Sequence, residues 1–548
     1  MTVEATEVVT PLRRGSRAER MRMPLARDVV EAVAVDYGVC VRPVAVRRTD
    51  MATGETVVID VPCGSTMASV CRPCAIRKKR LRMAQCREGW HCETEPVFEP
   101  DEPNREQRGL AEMRADLTAG RDAAAAAGED TAEWDEAIRE IDAALAAAGV
   151  RGNVDPAAKA RRVRSTRRRQ DAPDLPKRRV EKTTLGRIYT APGGKVFRPS
   201  VFLTLTCDSY GRVRPDGTPV DPDTYDYRRA ARDAIHFGKL VDRFIQNLRR
   251  VAGYDVQYFA TVEPQRRLAP HLHLAMRGTI SRAELRMIAA ATYHQVWWPA
   301  SDMVRYEGDR LPVWIEGVAG YVDSETGEVL PTWDEALDAI GPDDEPSHVA
   351  RFGPQVNAQG VIAGSRDADR CIGYLTKYLT KAIDQCHEPE TAAQQAHVDR
   401  LCEALRYEPC SPTCANWLRY GVQPSNPRPG LKPGHCRGKA HRRQHLGYGG
   451  RRVLVSRKWS GKTLADHKND RRAFVLATLG VDVEKGEQVD ANRYAWQMAR
   501  PTDPDVAPLA HRLLRAVAER QRWREQYERA RAMAAGELGN SATTGRAA

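Results

Sequence analysis

In the middle of the chain, segments with apolar residues at every second position alternate with segments that have apolar residues at helical spacing. This pattern predicts a unit of mixed strands and helices. Residues 201–206 (VFLTLT) and 270–276 (PHLHLAM) carry an apolar side chain at every second position, which is typical of half-buried strands. Residues 256–263 predict a third strand, joined by a short turn to the strand at 270–276. Apolar positions at helical spacing predict helices over 227–251 and 281–296. Hairpin strands with helices between them favour an α+β fold, an antiparallel sheet with helices on one face.

On either side of this unit the pattern changes. Residues 101–150 predict a helical hairpin, and residues 505–535 predict a charged amphipathic helix. The tract at 157–188 combines arginine clusters with two prolines, which predicts a linker that contacts phosphates through Arg167, Arg168 and Arg169. The predicted segments are a cysteine-bearing module at 1–100, a helical and basic linker at 101–190, the sheet unit at 191–400, a second Cys/His module at 401–465, and a helical region at 466–548 with a disordered tail.

Charge and composition favour a polyanionic partner. The 548 residues include 85 Lys and Arg against 73 Asp and Glu, and the net charge of +12 is concentrated in clusters. The N-terminus lacks the apolar core of a secretory signal, and no run of about 20 apolar residues predicts a membrane span. We therefore expect a cytoplasmic protein, whose 13 cysteines are metal ligands or buried thiols rather than disulfides.

Cysteines near the N-terminus have the spacing of a structural zinc site. Cys71 and Cys74 form a CxxC knuckle, in which two thiolates commonly bind one Zn²⁺. The predicted ligands of this zinc ribbon are Cys40, Cys63, Cys71 and Cys74, with Cys86 or Cys92 as alternatives to Cys40. A basic stretch follows the knuckle and suits a module that contacts DNA: Arg77, Lys78, Lys79 and Arg80.

A second cluster of cysteines follows the sheet unit. Its predicted zinc ligands are Cys410, Cys414, Cys436 and His441, with Cys402 as a rival fourth ligand. The alternative at both clusters is scattered thiols in a reducing cytoplasm.

The predicted strand hairpin carries a candidate metal site. Glu263 ends one strand, and His271 and His273 alternate on the next, so that one carboxylate and two imidazoles share a sheet face. Such a set leaves positions open for water and phosphate oxygens. Mg²⁺ prefers oxygen ligands, so Mn²⁺ fits the set better, and Mg²⁺ is the alternative. Taken alone, the two histidines would be ordinary strand residues bonded to their neighbours.

A tandem YxxKYxxK motif supplies a candidate nucleophile. Tyr374, Lys377, Tyr378 and Lys381 fall on one arc of a predicted helix that Asp367 or Asp369 opens. A tyrosine beside a metal-bound phosphodiester can attack phosphorus and keep the strand as a covalent ester. The lysines would stabilise the negative charge that develops during the attack. Without the histidine pair, the motif would be read as an amphipathic helix with tyrosines at its rim.

Together these motifs resemble the HUH endonuclease superfamily, in its rolling-circle replication initiator branch. FLTLT at 202–206, PHLHLA at 270–275 and YLTKYLTK at 374–381 resemble its three motifs in the family's order. PCSPTCANWLRYGVQP and GGRRVLVSRKWSGKTLADH resemble initiators of actinobacterial plasmids and integrative conjugative elements. The resemblance implies an HUH core flanked by zinc-ribbon-like modules. It implies that His271, His273 and Glu263 bind the metal, that Tyr374 and Tyr378 are nucleophiles, and that Lys377 and Lys381 support them.

The resemblance also implies a function. Such a protein nicks one strand of a double-strand origin, holds the 5′ end on tyrosine, and leaves a 3′ hydroxyl for a host polymerase and helicase. Tyr378 is the expected first nucleophile, because the water-activating glutamate of one-tyrosine relatives would fall at position 374. The alternatives are an HUH relaxase or transposase, and a zinc-containing DNA-binding regulator without catalysis.

One further motif resembles a phosphate-binding loop. Residues 456–463 have Walker A spacing, but Ser456 replaces the first glycine and too few residues follow for a nucleotide-binding fold. The stretch is therefore predicted to be a basic loop that contacts single-stranded DNA, in which Trp459 stacks on a base.

Overall fold

The computed structural model describes residues 23, 25–97, 102–152, 172, 174–386, 389–479 and 493–544, with side chains as far as 533. Its helices are α1 Ala26–Asp36, α2 Ala68–Trp90, α3 Arg105–Ala127, α4 Ala132–Ala147, α5 Tyr227–Ala252, α6 Arg282–Ala291, α7 Trp333–Asp338, α8 Arg366–Leu375, α9 Ala392–Tyr407, α10 Leu464–Thr478 and α11 Leu509–Thr544. Its strands are β1 Val44–Asp50, β2 Thr56–Val61, β3 Tyr189–Thr190, β4 Val196–Phe197, β5 Pro199–Cys207, β6 Tyr258–Pro264, β7 Pro270–Arg277, β8 Tyr293–Val296, β9 Val313–Ile315, β10 Gly320–Val322, β11 His348–Ile362, β12 Val453–Val455 and β13 Tyr494–Met498. The predicted phosphate contacts Arg167, Arg168 and Arg169 lie outside the described residues.

Six strands form one antiparallel sheet in the order β12-β6-β7-β5-β11-β8. The hairpin β6–β7 and strand β5 lie at its centre, in agreement with the predicted strands. Alternation along these strands separates two faces. Leu203 and Leu205 of β5 and Leu272 and Leu274 of β7 are fully buried on one face, where they join the main hydrophobic core with helices α5, α6 and α9.

The opposite face is also partly covered, so the prediction of helices on only one face is wrong. Trp90 at the end of α2 packs there with Phe259 of β6, Ala275 of β7 and residues Ile372 and Leu375 of α8. Helix α8 therefore lies on the same side of the sheet as the histidines of β7. This second helical layer brings the tyrosine motif and the predicted metal ligands together.

Both ends of the described chain contribute to one small module. Strand β13 pairs with β1, which pairs with β2 in a three-stranded antiparallel sheet. Leu513 and Val517 of α11 pack against Cys40, Cys71 and Ala34. Arg47 of β1 donates to Asp503 at 2.7 Å. The C-terminal residues therefore complete the N-terminal module rather than form the separate region predicted over 466–548.

Two predicted helices end earlier than their patterns suggest. The helix predicted over 281–296 ends at Ala291, and residues 293–296 form β8, which pairs with β11. Its start is as predicted, with a capping box between Ser281 and Glu284. The helix predicted to carry both tyrosines ends at Leu375, so that it includes Tyr374 but not Tyr378. Residues 376–381 instead form turns, in which a backbone N–H donates to the carbonyl three residues earlier. An example is Lys381 N to Tyr378 O at 3.1 Å.

The described parts of 97–169, together with residues 342–344, form a separate compact unit that includes the predicted helical hairpin. Helix α3 begins with a capping box between Asn104 and Gln107. Arg114 of α3 donates to Asp142 of α4 at 2.7 Å. None of the described helices has the length and apolar character that crossing a membrane requires.

Candidate metal and nucleophile site

The carboxylate and the two imidazoles predicted as metal ligands meet at the centre of the sheet. Glu263 on β6 is the register partner of His271 on β7, and His273 follows on the same face. One potential ligand atom from each of the three residues lies within 4.8 Å of the other two. His273 Nε2 is 3.1 Å from Glu263 Oε1, and both side chains are buried. This carboxylate and two-imidazole group has the chemistry and spacing to hold one divalent cation.

Two threonines on β5 orient the imidazoles. Thr206 Oγ1 lies 2.7 Å from His271 Nδ1, and Thr204 Oγ1 lies 3.1 Å from His273 Nδ1. When each Nδ1–H donates to its threonine, each Nε2 lone pair is left for a metal. No role was predicted for these threonines as individual residues. The signal was present in the alternation of FLTLT, because one face of β5 carries Phe202, Thr204 and Thr206.

The electrostatics keep the carboxylate ionised. When His273 Nε2 carries a proton instead, burial still opposes the charged form of Glu263, but the hydrogen bond from that Nε2–H and the charges of His273, His271 and Arg452 lower the pKa of its carboxyl below the usual value. A negatively charged ligand is thereby available at neutral pH beside two imidazoles.

Tyr374 lies directly beside this group. Its ring is perpendicular to the His273 ring, with centroids 4.7 Å apart, and it meets the edge of Phe202 at 6.0 Å. Phe202 in turn stacks on His273 at 5.9 Å. The side chain remains 47% exposed, so the phenol can be reached from solvent. Burial and the charge of Glu263 raise the pKa of the Tyr374 phenol, so it is protonated at neutral pH.

Tyr378 has different surroundings. It lines a cavity of about 320 Å³ together with Lys377, Lys381, Gln265 and Arg266. The ammonium of Lys377 lies 4.8 Å from the centroid of the Tyr378 ring. The hydrogen bond to Tyr378 raises the pKa of Lys377. The structure therefore places Tyr374 against the histidines, and places Tyr378 with the two predicted supporting lysines.

Comparison with known sequences gives the family. The sequence profile of RepSA, described as the replication initiator protein of pSAM2, matches residues 26–519. The chain belongs to the RepSA family of replication initiators. A curated replication initiator protein from Streptomyces ambofaciens is 27% identical over 237 residues. That match covers 38% of this chain and 47% of the relative, about half of the relative's length. No solved structure matches the chain, so the HUH assignment of the sheet stays a prediction.

The chain brings together the first predicted group of zinc ligands. Ligand atoms of Cys40, Cys63, Cys71 and Cys74 lie within 4.8 Å of one another. Neither alternative to Cys40 joins them. Cys86 is fully buried in the cluster around Trp90, and the Cys92 thiol donates to Thr94 O at 2.9 Å. Four sulfurs at this spacing fit the tetrahedral Cys₄ set of structural zinc.

The second predicted group of zinc ligands is equally compact. Ligand atoms of Cys410, Cys414, Cys436 and His441 lie within 4.8 Å of one another. Nδ1 of His441 is 2.7 Å from Leu405 O, which leaves Nε2 directed to the sulfurs, 3.5 Å from Cys414 Sγ. The rival ligand Cys402 packs against the main core instead. A Cys₃His set with an oriented imidazole fits structural zinc.

The predicted base-stacking role of Trp459 is wrong. Its side chain is fully buried, with the Trp90 and Phe259 rings each 6.5 Å away, and its indole N–H donates to Cys86 O at 3.2 Å. Arg277 lies over the ring at 5.4 Å and donates to Trp459 O at 3.0 Å. The loop at 456–463 therefore has a structural role and holds β7 and α2 together. Its basic composition had suggested a DNA contact instead.

Lys462 of this loop also forms ion pairs within the protein. Lys462 Nζ lies 2.7 Å from Glu88 and 3.0 Å from Asp470. His467 joins the same two carboxylates in a compact group. The ammonium of Lys462 therefore balances these acidic side chains, as expected of a surface ion-pair network rather than a phosphate-binding loop.

Proposed function

We propose that this initiator starts rolling-circle replication by nicking one strand of its origin and holding the 5′ end on a tyrosine. The observation that supports this most strongly is the perpendicular contact of Tyr374 with His273, one of the three predicted metal ligands. A nucleophile and a candidate metal site in direct contact are what tyrosine transesterification requires. Membership of a replication initiator family supports the same role.

Glu263, His271 and His273 would hold Mg²⁺ or Mn²⁺, which when bound polarises the scissile phosphate. The chain's own residues then position the reaction. Phe202 and His273 hold the Tyr374 ring at the site, so that its Oη can approach phosphorus. The Oη–P bond forms while the bond from phosphorus to the 3′ oxygen breaks. The phenol loses its proton in the attack, and the departing oxygen takes one up to become the 3′ hydroxyl.

The different surroundings of the two tyrosines support successive roles. We infer that Tyr374, the tyrosine that contacts His273, attacks first, in place of the Tyr378 that the sequence favoured. Tyr378, with Lys377 and Lys381 beside it, would make the second attack that closes a round. The lysines would stabilise the phenolate and the phosphorane charge. The 3′ hydroxyl would serve a host polymerase, with a host helicase separating the strands.

The test is nicking of a supercoiled plasmid that carries the DNA flanking the initiator's own gene. We expect nicking with Mn²⁺ or Mg²⁺ and none with EDTA. Intact mass measurement after incubation with single-stranded oligonucleotides from the nicked region should show a covalent adduct. The adduct should lie on Tyr374 in the wild type and be lost in the Tyr374→Phe, Tyr378→Phe double variant.

Each single tyrosine variant should retain some cleavage of single strands and be impaired in releasing closed circles. If the double variant nicks like the wild type, the tyrosine mechanism is wrong. If the wild type binds the plasmid without nicking it in any of these metals, the protein is a DNA-binding regulator. Transfer of the nicked strand to a recipient cell, without replication, would instead indicate a relaxase.

A further inference from the structure

A second cavity beside the tyrosine segment is lined by cations. It has a volume of about 320 Å³ and lies between α2, the residues after Tyr378, and the start of β12. Its charged lining consists of Lys78, Lys79, Arg82, Lys381 and Arg452. Among the residues that the structure describes, neither an aspartate nor a glutamate lines it. We call it the basic cavity.

Three of these cations have no anionic partner among the described residues. Lys78, Lys79 and Arg82 follow one another on α2, and within the described part of the chain none of them pairs with a carboxylate. Arg82 is the most telling of the three, because it donates to the neutral amide of Gln85 at 2.8 Å and to no acid. Burial lowers the pKa of its guanidinium. A partly desolvated guanidinium without a counter-ion is a site at which a bound anion gains most.

The basic cavity lies next to the cavity that contains Tyr378. Lys381 and Ile383 line it and also line the cavity that contains Tyr378. Arg452, on its far wall, contributes to lowering the pKa of Glu263 and so lies within electrostatic reach of the candidate metal site. The cavity at Tyr378 is lined by acidic as well as basic residues, including Asp216, Asp384 and Glu390. It is therefore a much weaker binding site for an anion than the basic cavity.

Resting on the proposed nicking function, we propose that the basic cavity binds the phosphodiester backbone of single-stranded DNA next to the scissile phosphate. Phe, Tyr and Trp are absent from its lining, so it provides no stacking platform for a base. It therefore contributes affinity and register, and leaves recognition of the origin sequence to other surfaces.

The experiment measures binding of a fluorescent 20-nucleotide single strand of mixed sequence by anisotropy, over a series of salt concentrations. The Tyr374→Phe, Tyr378→Phe chain with EDTA present serves as the background, so that binding is scored without cleavage. The cavity variant carries, in addition to this background, Lys78→Ala, Lys79→Ala and Arg82→Ala together. The matched control is Lys239→Ala, Arg282→Ala and Arg286→Ala, which removes three exposed charges from α5 and α6 on the other face of the sheet.

The cavity variant should bind the strand roughly tenfold more weakly or worse at low salt, and its log–log salt slope should fall by about 2, which is three contacts at about 0.7 each. The control should change the affinity less than about twofold. Equal losses in both variants, or a loss confined to a duplex of the same sequence, overturn the proposal. Because Arg82 is partly buried, Lys78→Gln with Lys79→Gln is the second variant, with an expected slope change of about 1.4.

The two proposals fail in different ways. If the wild type does not nick DNA but the cavity variant loses single-strand affinity as described, the nicking function is wrong, and the cavity remains a binding site for single-stranded DNA without a scissile phosphate beside it. If the wild type nicks DNA and the cavity variant binds single strands like the control, the basic cavity is not on the DNA path.

Discussion

At the residue scale, the contacts behind the candidate metal ligands matter as much as those residues themselves. Thr204 and Thr206 each place a hydroxyl within hydrogen-bond distance of a histidine Nδ1. An unoriented imidazole can rotate its ring or shift its proton, and either change withdraws Nε2 from the metal. The threonines are therefore positioning residues for the candidate metal site.

Thr206→Val should weaken Mn²⁺ binding by roughly 10- to 100-fold, because it leaves His271 Nδ1 without its hydroxyl partner. Electron paramagnetic resonance of free Mn²⁺ measures the affinity directly, and the metal concentration for half-maximal nicking should rise in parallel. Thr206→Ser keeps a hydroxyl and should bind Mn²⁺ like the wild type. Equal Mn²⁺ affinity in all three proteins would show that Thr206 has no part in orienting His271.

Trp459 should be a stability residue. Trp459→Ala should cost about 3–5 kcal/mol of unfolding free energy, because it empties a fully buried indole site between Trp90 and Phe259. Trp459→Phe should cost less and should bind single-stranded DNA like the wild type. Thermal unfolding and anisotropy are the measurements. A loss of DNA affinity in Trp459→Phe with no loss of stability would restore the base-stacking role.

At the element scale, α2 joins the cysteine module to the segment that carries the proposed nucleophile. Near its start, Ala68 N donates to Thr380 O at 2.7 Å, at the end of the tyrosine segment. Near its end, Arg87 pairs with Asp369 at 2.9 Å, at the beginning of α8. Cys71 lies at a kink near the start of this helix, where the backbone leaves helical geometry, and Cys74 lies in the turn that follows. A module that the sequence presents as a separate DNA contact therefore holds both ends of the segment that carries Tyr374.

Loss of zinc should consequently impair cleavage as well as binding. The Cys71→Ser, Cys74→Ser variant should lose one equivalent of zinc by elemental analysis. Its cleavage of single-stranded oligonucleotides should fall by roughly 10- to 100-fold, because a small displacement of a nucleophile has effects of that size. Cys92→Ser, at a cysteine outside the cluster, is the control and should keep both. Zinc loss with unchanged cleavage would show that the module acts independently.

A second variant isolates the hydrogen bond. Ala68→Pro removes only the N–H that donates to Thr380, because proline is well tolerated at the first helical position and Met67 before it is extended. It should retain zinc and still cleave more slowly. If this variant cleaves at the wild-type rate, the cysteine module is coupled to the tyrosine segment through Arg87 and Asp369 instead.

At the scale of the whole molecule, buried neutral histidines make the fold sensitive to acid. Burial lowers the pKa of His294 from 6.5 to about 4, and burial likewise lowers the pKa of His397 to about 4. The unfolded chain binds protons at these sites as the pH falls below about 6.5, while the folded chain does not until about 4. The stability these sites contribute is present above pH 6.5 and is lost as the pH falls.

The His294→Gln, His397→Gln variant should therefore show a flatter dependence of unfolding free energy on pH than the wild type between pH 7 and pH 4.5. Denaturant unfolding at each pH gives the free energies. His511→Gln, at an exposed histidine on α11, is the control and should follow the wild type. A double variant that follows the wild type as well would mean that other groups cause the acid sensitivity.

The sequence by itself determined the elements that depend on local periodicity and the motifs that depend on residue type. It predicted β5, β6, β7 and α5, because a half-buried strand or helix shows its period in the chain. It also selected the candidate metal and zinc ligands that the structure brings together, because few residue types bind metals and their spacing is restricted.

Tertiary structure alone decided where these pieces end and what they touch. Long-range pairing turned 293–296 into β8, and β13 joined β1 across more than 440 residues of chain. Burial of Trp459 depends on Gly89 of α2, where a Cβ would lie only 2.2 Å from the indole. The second helical layer placed Tyr374 rather than Tyr378 against His273. No local pattern specifies such contacts, because they depend on partners that are distant in sequence and are formed only when the chain packs.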